Sequence, residues 1–372
     1  MKKKLLASAI ASILVVGVGA EAADFKASGQ VSRVLVSPDD DAGSELQFLD
    51  NNISGSRFRF TGNQDIGNEM KAGFRIEAQF QSNKGNTVNG GTYTDSTAGN
   101  LGNEDNIDLR YQDVYVSGDF GKISLGKGDG ASNGRTETDL SGTYIIAAVN
   151  SADLYGGFVF DVDGDGVDDV LTTEVDESDP SKIGEYYGEV DGYSRVNRLR
   201  YDSNNFSGFS FAASYGQQEV TELAASFAGG TDTKYKVQAF VGSIGESANN
   251  EDNGDERMGL SGSVLLSNGL NFTAAWSEKD RDQADADDQE HMWAKVGYKM
   301  GKHAFAVDYG ETEITGTDDS GSTKSNADTV GLSYVFAPAK GVELFAGYRE
   351  YSLDDSTGTD PEFITVGSRV KF

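Results

Sequence analysis

The chain has 372 residues, no cysteine, two histidines and a formal charge of −29. The missing thiols exclude a disulfide scaffold and a cysteine-ligated zinc site. Two histidines, His291 and His303, leave little material for a Ser-His-Asp triad or a histidine metal centre. Such acidity disfavours nucleic acid as a partner; it fits either cations as partners or a solvated acidic surface. Mean hydropathy is −0.45, while Gly (47), Phe (20) and Tyr (16) are plentiful and Pro (4) is scarce. A membrane-spanning barrel has this signature, because half of each strand faces water.

Residues 1–23 read as a cleaved secretory signal. Lys2, Lys3 and Lys4 form the charged start, Leu5–Val18 the apolar run, and Ala20-Glu21-Ala22-Ala23 the small-residue cleavage region. Cleavage near Ala23 or Asp24 removes three lysines and one glutamate, which takes the charge from −29 to −31. No later stretch is apolar enough for a transmembrane helix. The remainder, 24–372, reads as one domain of repeated hairpins.

Period-2 alternation predicts strands at Phe25–Val36, Ser56–Asn63, Met70–Ser82, Ile107–Ser117, Lys122–Lys127, Arg195–Ser203, Phe209–Gln217, Lys234–Gly242, Arg257–Leu266, Leu270–Glu278, Met292–Lys299, His303–Glu313, Asp328–Phe336, Val342–Tyr351 and Phe363–Phe372. These are fifteen, an odd number that cannot close a barrel with both ends on one side. Tight turns at Gly118–Gly121, Asn204–Gly208, Ser267–Gly269, Met300–Lys302 and Ala337–Gly341 share one face only if another strand lies between Gln217 and Lys234. Val220–Ala228 supplies it, so the expectation is an all-β, sixteen-stranded antiparallel transmembrane barrel with periplasmic tight turns and long outer loops.

Side-chain faces follow from the same alternation. Arg57 and Arg59 oppose Phe58 and Phe60; Lys71, Arg75, Glu77, Gln79 and Gln81 oppose Ala72, Phe74, Ile76, Ala78 and Phe80. A charge facing lipid at mid-depth costs roughly 2–4 kcal/mol, so the polar sets are expected to face water inside. Arg33 breaks the rule by sharing a face with Val31 and Leu35.

Three segments resemble the general (non-specific) porin family of Gram-negative bacteria. Gly118–Lys127 is similar to the family's second periplasmic hairpin and the strand entering loop 3. Arg195–Phe209 is similar to the segment after that loop, and Phe372 resembles the C-terminal aromatic read by the barrel-assembly machinery. The resemblance implies a homotrimer in the outer membrane, surrounded by lipid and lipopolysaccharide, that passes ions and small hydrophilic solutes. It also implies that loop 3, here 128–194, folds into the lumen and opposes acidic residues to a basic wall. Carried over, the wall candidates are Arg57, Arg59, Arg75, Arg110, Arg198 and Arg200, and the loop candidates Glu137, Asp139 and Asp153. The Pro-Glu-Phe-Gly-Gly motif of enteric members has no clear counterpart.

Within the long loop, Asp161, Asp163, Asp165, Val167 and Asp169 occupy alternate positions with Gly166 at the sixth. The spacing opens a calcium loop, but Thr172 stands where an EF-hand has its bidentate glutamate. The run is therefore a structural Ca²⁺ site, a solvated acidic stretch or a direct contributor to cation selectivity. The functional expectation is a passive-diffusion channel, not an enzyme, with weak cation preference. The alternatives are a substrate-selective channel for oligosaccharides or the like, and a surface-recognition or adhesion barrel.

Overall fold

Alternation along each strand becomes two faces of one sheet in the computed structural model, which describes residues 24–39, 46–85, 106–158, 160, 182–245, 254–281, 287–318, 321–354 and 360–372. In chain order the strands are β1 (Asp24–Asp39), β2 (Gln47–Asp50), β3 (Ser56–Gly67), β4 (Met70–Gln81), β5 (Asn106–Gly118), β6 (Gly121–Asp129), β7 (Arg195–Asp202), β8 (Phe209–Gly216) and β9 (Thr221–Gly229). They continue as β10 (Lys234–Ser243), β11 (Glu256–Leu265), β12 (Leu270–Asp280), β13 (Asp288–Met300), β14 (His303–Asp318), β15 (Gly321–Ala339), β16 (Val342–Leu353) and β17 (Glu362–Lys371). Two single-turn helices, α1 (Ala152–Tyr155) and α2 (Ile183–Tyr186), lie between β6 and β7.

Every pairing between consecutive strands from β3 to β17 is antiparallel, and β1 closes the ring by pairing with β17 and β3. β1 pairs at one end with β3, from Asp24↔Asn63 to Gln30↔Arg57, and at the other with β2, from Arg33↔Asp50 to Val36↔Gln47. β2 and β3 thus share one place in the wall, and seventeen segments make a closed barrel of sixteen staves. The predicted strand at Val220–Ala228 is β9, in register with β8 and β10.

Three details differ from the sequence reading. Residues 51–55 leave the wall between β2 and β3, with Asn51, Ile53 and Ser54 buried. β3 runs on to Gly67 and turns through Asn68 and Glu69, both at positive φ (51° and 60°), a primed hairpin turn whose twist matches the strands. The gap left between the predicted strands His303–Glu313 and Asp328–Phe336 is mostly ladder, since pairing continues to Asp318↔Gly321.

One face of the barrel is an apolar band. Among its side chains, Phe58, Phe60, Leu125, Phe211, Leu260, Phe272, Val296, Val307, Leu332 and Ile364 are between 40% and 62% exposed. A soluble protein does not expose so large an apolar surface, whereas lipid covers it at no cost, and the ring of paired strands satisfies the backbone of the wall. The opposite, inward face is mostly polar over β3–β13, with Phe240 and Trp293 as its large buried apolar residues. On β1 and β14–β17 it instead carries Val34, Val36, Ala304, Val335, Phe345, Tyr351, Leu353 and Phe363. These join Ile53, Ile145, Ile146, Leu154, Tyr155, Phe158, Phe160, Ile183 and Tyr187 in a buried cluster.

Candidate pore lining

The polar face of β3–β7 gathers arginines around a few shared carboxylates. Glu77 on β4 is 1% exposed and receives Arg59 from β3 and Arg110 from β5 (Nε to Oε1, 2.9 Å), with Arg57 Nε at 4.0 Å. Asp113 on β5 takes Arg75 at 3.0 Å and Arg198 at 2.8 Å. The Arg75 guanidinium lies 3.5 Å above the Tyr111 ring, and Arg195 lies 5.5 Å from it on the ring's centroid. Tyr111 Oη donates to Asp129 at 2.6 Å, and Arg195 pairs with Asp129 at 3.1 Å. Sharing one carboxylate between several guanidiniums holds them close together despite their like charge, and leaves net positive charge on the wall.

All six expected wall arginines lie on this face, but they do not do the same work. Arg57, Arg59, Arg75 and Arg110 keep partly exposed side chains, from 19% to 42%. Arg198 is 2% exposed and donates to the carbonyls of Gly126 and Asp129 as well as to Asp113. Arg200 binds Asp202 and the carbonyl of Gly130. These two are struts that fix the start of the long connection between β6 and β7.

That connection is tied to polar-face side chains around most of the ring. Ala131 N donates to Ser214 Oγ and Glu222, Thr138 Oγ1 to Gln238, Leu140 N to Ser263 Oγ, Val190 N to Ser277 Oγ and Gly188 N to Thr312 Oγ1. Across the ring, Tyr351 Oη donates to Ser151 Oγ at 2.7 Å, and the hydroxyls of Tyr155 and Thr365 lie 2.9 Å apart. Lys295 on β13 is fully buried and donates to Asp139 (2.7 Å), Thr143 Oγ1 (3.2 Å) and the carbonyl of Ala147. Asp139 therefore anchors the segment and is itself buried.

Glu137 and Asp153, the other two loop candidates, meet Glu189 and Asp191, which the sequence reading missed. Oxygens of Glu137, Glu189 and Asp191 come within 4.8 Å of one another, a spacing that could hold a metal ion. Tyr144 Oη donates to Glu137 at 2.6 Å, Thr136 Oγ1 donates to Glu189, and Gly134 N donates to Asp191 at 2.8 Å. Burial, then the nearby Glu137, pushes Asp153 and Asp191 up to about 7, and burial with Asp191 holds Glu189 well above the usual carboxylate range. Glu189 stands 52 positions after Glu137, and only their shared acidity could have linked them in the sequence. Asp161, Asp163, Asp165, Val167 and Asp169 lie outside the described residues.

Arg33 sits on the outward face after all, and pairs with Asp50 where the second stave breaks. Asp50 also accepts from the backbone of Ser82 and Asn83, both at 2.7 Å. The outward guanidinium is thus neutralised at the seam between β2 and β4.

A closed barrel with an apolar outside and a charged, polar inside is a transmembrane channel. The chain belongs to the Gram-negative porin family, whose model matches residues 7–356. It is an outer-membrane, multi-pass channel for passive diffusion. The fold is similar to that of an anion-selective porin from Comamonas acidovorans (TM-score 0.60, 15% identity, 94% of this chain and 100% of that one covered). It is equally similar to a loop L8 deletion mutant of OmpT from Vibrio cholerae (TM-score 0.60, 15% identity, 95% and 100% covered), and close to in-vitro folded OmpT in trimer form (0.58, 14%, 95% and 100%). A search of curated sequences returns no match.

Proposed function

We propose that the segment 128–194 folds into the lumen as the constriction loop. Solutes then pass between Glu137, Asp153, Glu189 and Asp191 on one side and Arg57, Arg59, Arg75 and Arg110 on the other. Opposed charges across a narrow, water-filled passage create a transverse field that admits small polar solutes and resists apolar ones. No step of covalent chemistry is assigned to any residue. The inward aromatics Tyr155, Tyr187, Tyr351 and Phe363 are packed away at 0–1% exposure, so they offer no stacking surface to sugars; this supports general diffusion over an oligosaccharide channel.

The observation that carries a weak cation preference is an imbalance of pairing. The wall arginines share Glu77, Asp113 and Asp129, while Glu137, Glu189 and Asp191 are held by hydroxyl and amide donors. Reversal potentials in a KCl gradient test this: the native channel should favour K⁺, and Glu137→Gln with Asp191→Asn should move the potential toward Cl⁻. An anion-selective native channel would overturn the reading. The trimer form of the OmpT relative supports a homotrimer. Contact with lipid and lipopolysaccharide, recognition of Phe372 by the assembly machinery, cleavage after residue 23 and Ca²⁺ at Asp161–Asp169 belong to the same proposal, on the sequence features given above.

A further inference from the structure

Between the long connection and the tight turns, one sector of the lumen changes sign. The first arm of that connection descends the wall toward the turns. Thr138 is bonded to Gln238 on β10 and Leu140 to Ser263 on β11, and a Cβ at Gly142 would stand 3.5 Å from Lys299 Nζ on β13. The return arm keeps farther from the turns, where Gly188 meets Thr312 and Val190 meets Ser277, and it carries Glu189 and Asp191. Lys236 stands two residues from Gln238 on the turn side of the first arm, and Lys234 two more. Strand alternation sets Lys234, Lys236 and Lys299 on the inward face. From Ser210 on β8 to Ala304 on β14, the inward positions on that side are small or neutral residues and lysines, with no carboxylate among them.

Arg135 reaches the same sector from the first arm. Its Nε donates to the carbonyl of Ala131, and its own carbonyl accepts from Ser261 Oγ at 2.6 Å. Its guanidinium lies near enough to Arg200 and Lys236 for their like charges to repel. The ion pairs around it use other cations: Lys122 and Arg200 hold Asp202, Arg195 holds Asp129, and Lys295 holds Asp139. Among the described residues, Arg135, Lys234, Lys236 and Lys299 form no ion pair. Lys234 and Lys299 are exposed and Lys236 is half-buried.

We propose that this sector is a binding site, open at the tight-turn mouth, for solutes that carry several linked phosphates. Unpaired like charges along a low-dielectric wall repel one another and draw a counter-anion between them. Lys234 and Lys236 are about 7 Å apart along their strand, and Lys299 stands roughly 15 Å away across three strands. A monovalent anion answers one of these charges, whereas a chain of phosphates answers several, and lysine binds phosphate as a point charge. The acids of the return arm and the cations of this sector then lie in series along the path. The site rests on the channel reading and adds to it a solute class and a side.

The test records single native channels in planar bilayers at constant KCl, with inorganic tripolyphosphate added first to one chamber and then to the other. Current should be blocked from one chamber only, at the polarity that drives anions inward, because Glu189 and Asp191 guard the other approach. Lys236→Gln combined with Lys299→Gln should raise the half-blocking concentration roughly tenfold. Lys26→Gln, on β1 across the ring, should be blocked like the native channel. Equal block from both chambers, native-like block of the double variant, or equal weakening by Lys26→Gln would each overturn the site. A native KCl current that ignores tripolyphosphate sinks the site alone; a protein that carries no KCl current sinks the reading beneath it.

Discussion

Lys295 shows how little of a residue's role is written in its neighbourhood. It alternates onto the polar face of β13 like any inward lysine, yet its partner Asp139 is 156 residues away, along with Thr143 and Ala147. The sequence placed Asp139 beside Glu137 as a loop carboxylate, and nothing local distinguishes an anchoring acid from one facing the passage. Removing one partner of a buried ion pair costs about 3–5 kcal/mol, because the other charge stays desolvated. Lys295→Met should therefore loosen the segment around Asp139–Ala147 without unfolding the barrel. Limited proteolysis of folded protein should cut that segment faster than in the native channel; an unchanged cleavage rate would deny Lys295 its anchoring role.

At the scale of elements, the strands were legible because a two-residue period survives on any half-lipid, half-water wall. The hidden strand β9 was recoverable from turn parity alone. The break between β2 and β3 was not, since residues 51–55 are turned inward by long-range contacts: Asn51 Nδ2 donates to the carbonyl of Ile145, and Ile53 joins the buried cluster. The apolar inward face of β14–β17 was likewise unreadable, because what covers it comes from 145–160 and 183–187. Leu154, fully buried in α1, lies within that cluster. A buried Leu→Ala change typically costs about 2–5 kcal/mol. Leu154→Ala should raise current noise in single-channel recordings while the barrel stays resistant to detergent; quiet native-like traces would show that the cluster does not steady the loop.

The whole molecule carries its charge unevenly, and two of the acids change state near neutrality. Asp153 and Asp191, raised to about 7, are neutral below that value and ionise as pH rises through it. Their folded values exceed the unfolded ones, so their contribution to stability is complete below the unfolded carboxylate range, near pH 4, and is lost as pH climbs to about 7. Selectivity should run the opposite way, with more negative charge in the passage and stronger K⁺ preference at about pH 8 than at about pH 6. Reversal potentials at the two values measure it, and a flat response would show that these carboxylates do not face the ion path.

The ring is closed by its most distant parts. Gln30 pairs with Lys371, and the backbone of Gly29 exchanges hydrogen bonds with Phe372 at 2.9 and 3.0 Å. A Cβ at Gly29 would stand 2.7 Å from the Phe372 ring, so the first stave is cut to receive that side chain. Until β17 arrives, β1 is an edge with open donors and acceptors, the kind that recruits other chains into aggregates. The covalent chain is a line, but its hydrogen bonds form a loop with a single late clasp. Synthesis and transit must therefore shelter an unfinished edge for nearly the full length of the polypeptide, and a lesion at Gly29 or Phe372 would act on the yield of finished barrels more than on the conductance of those that close.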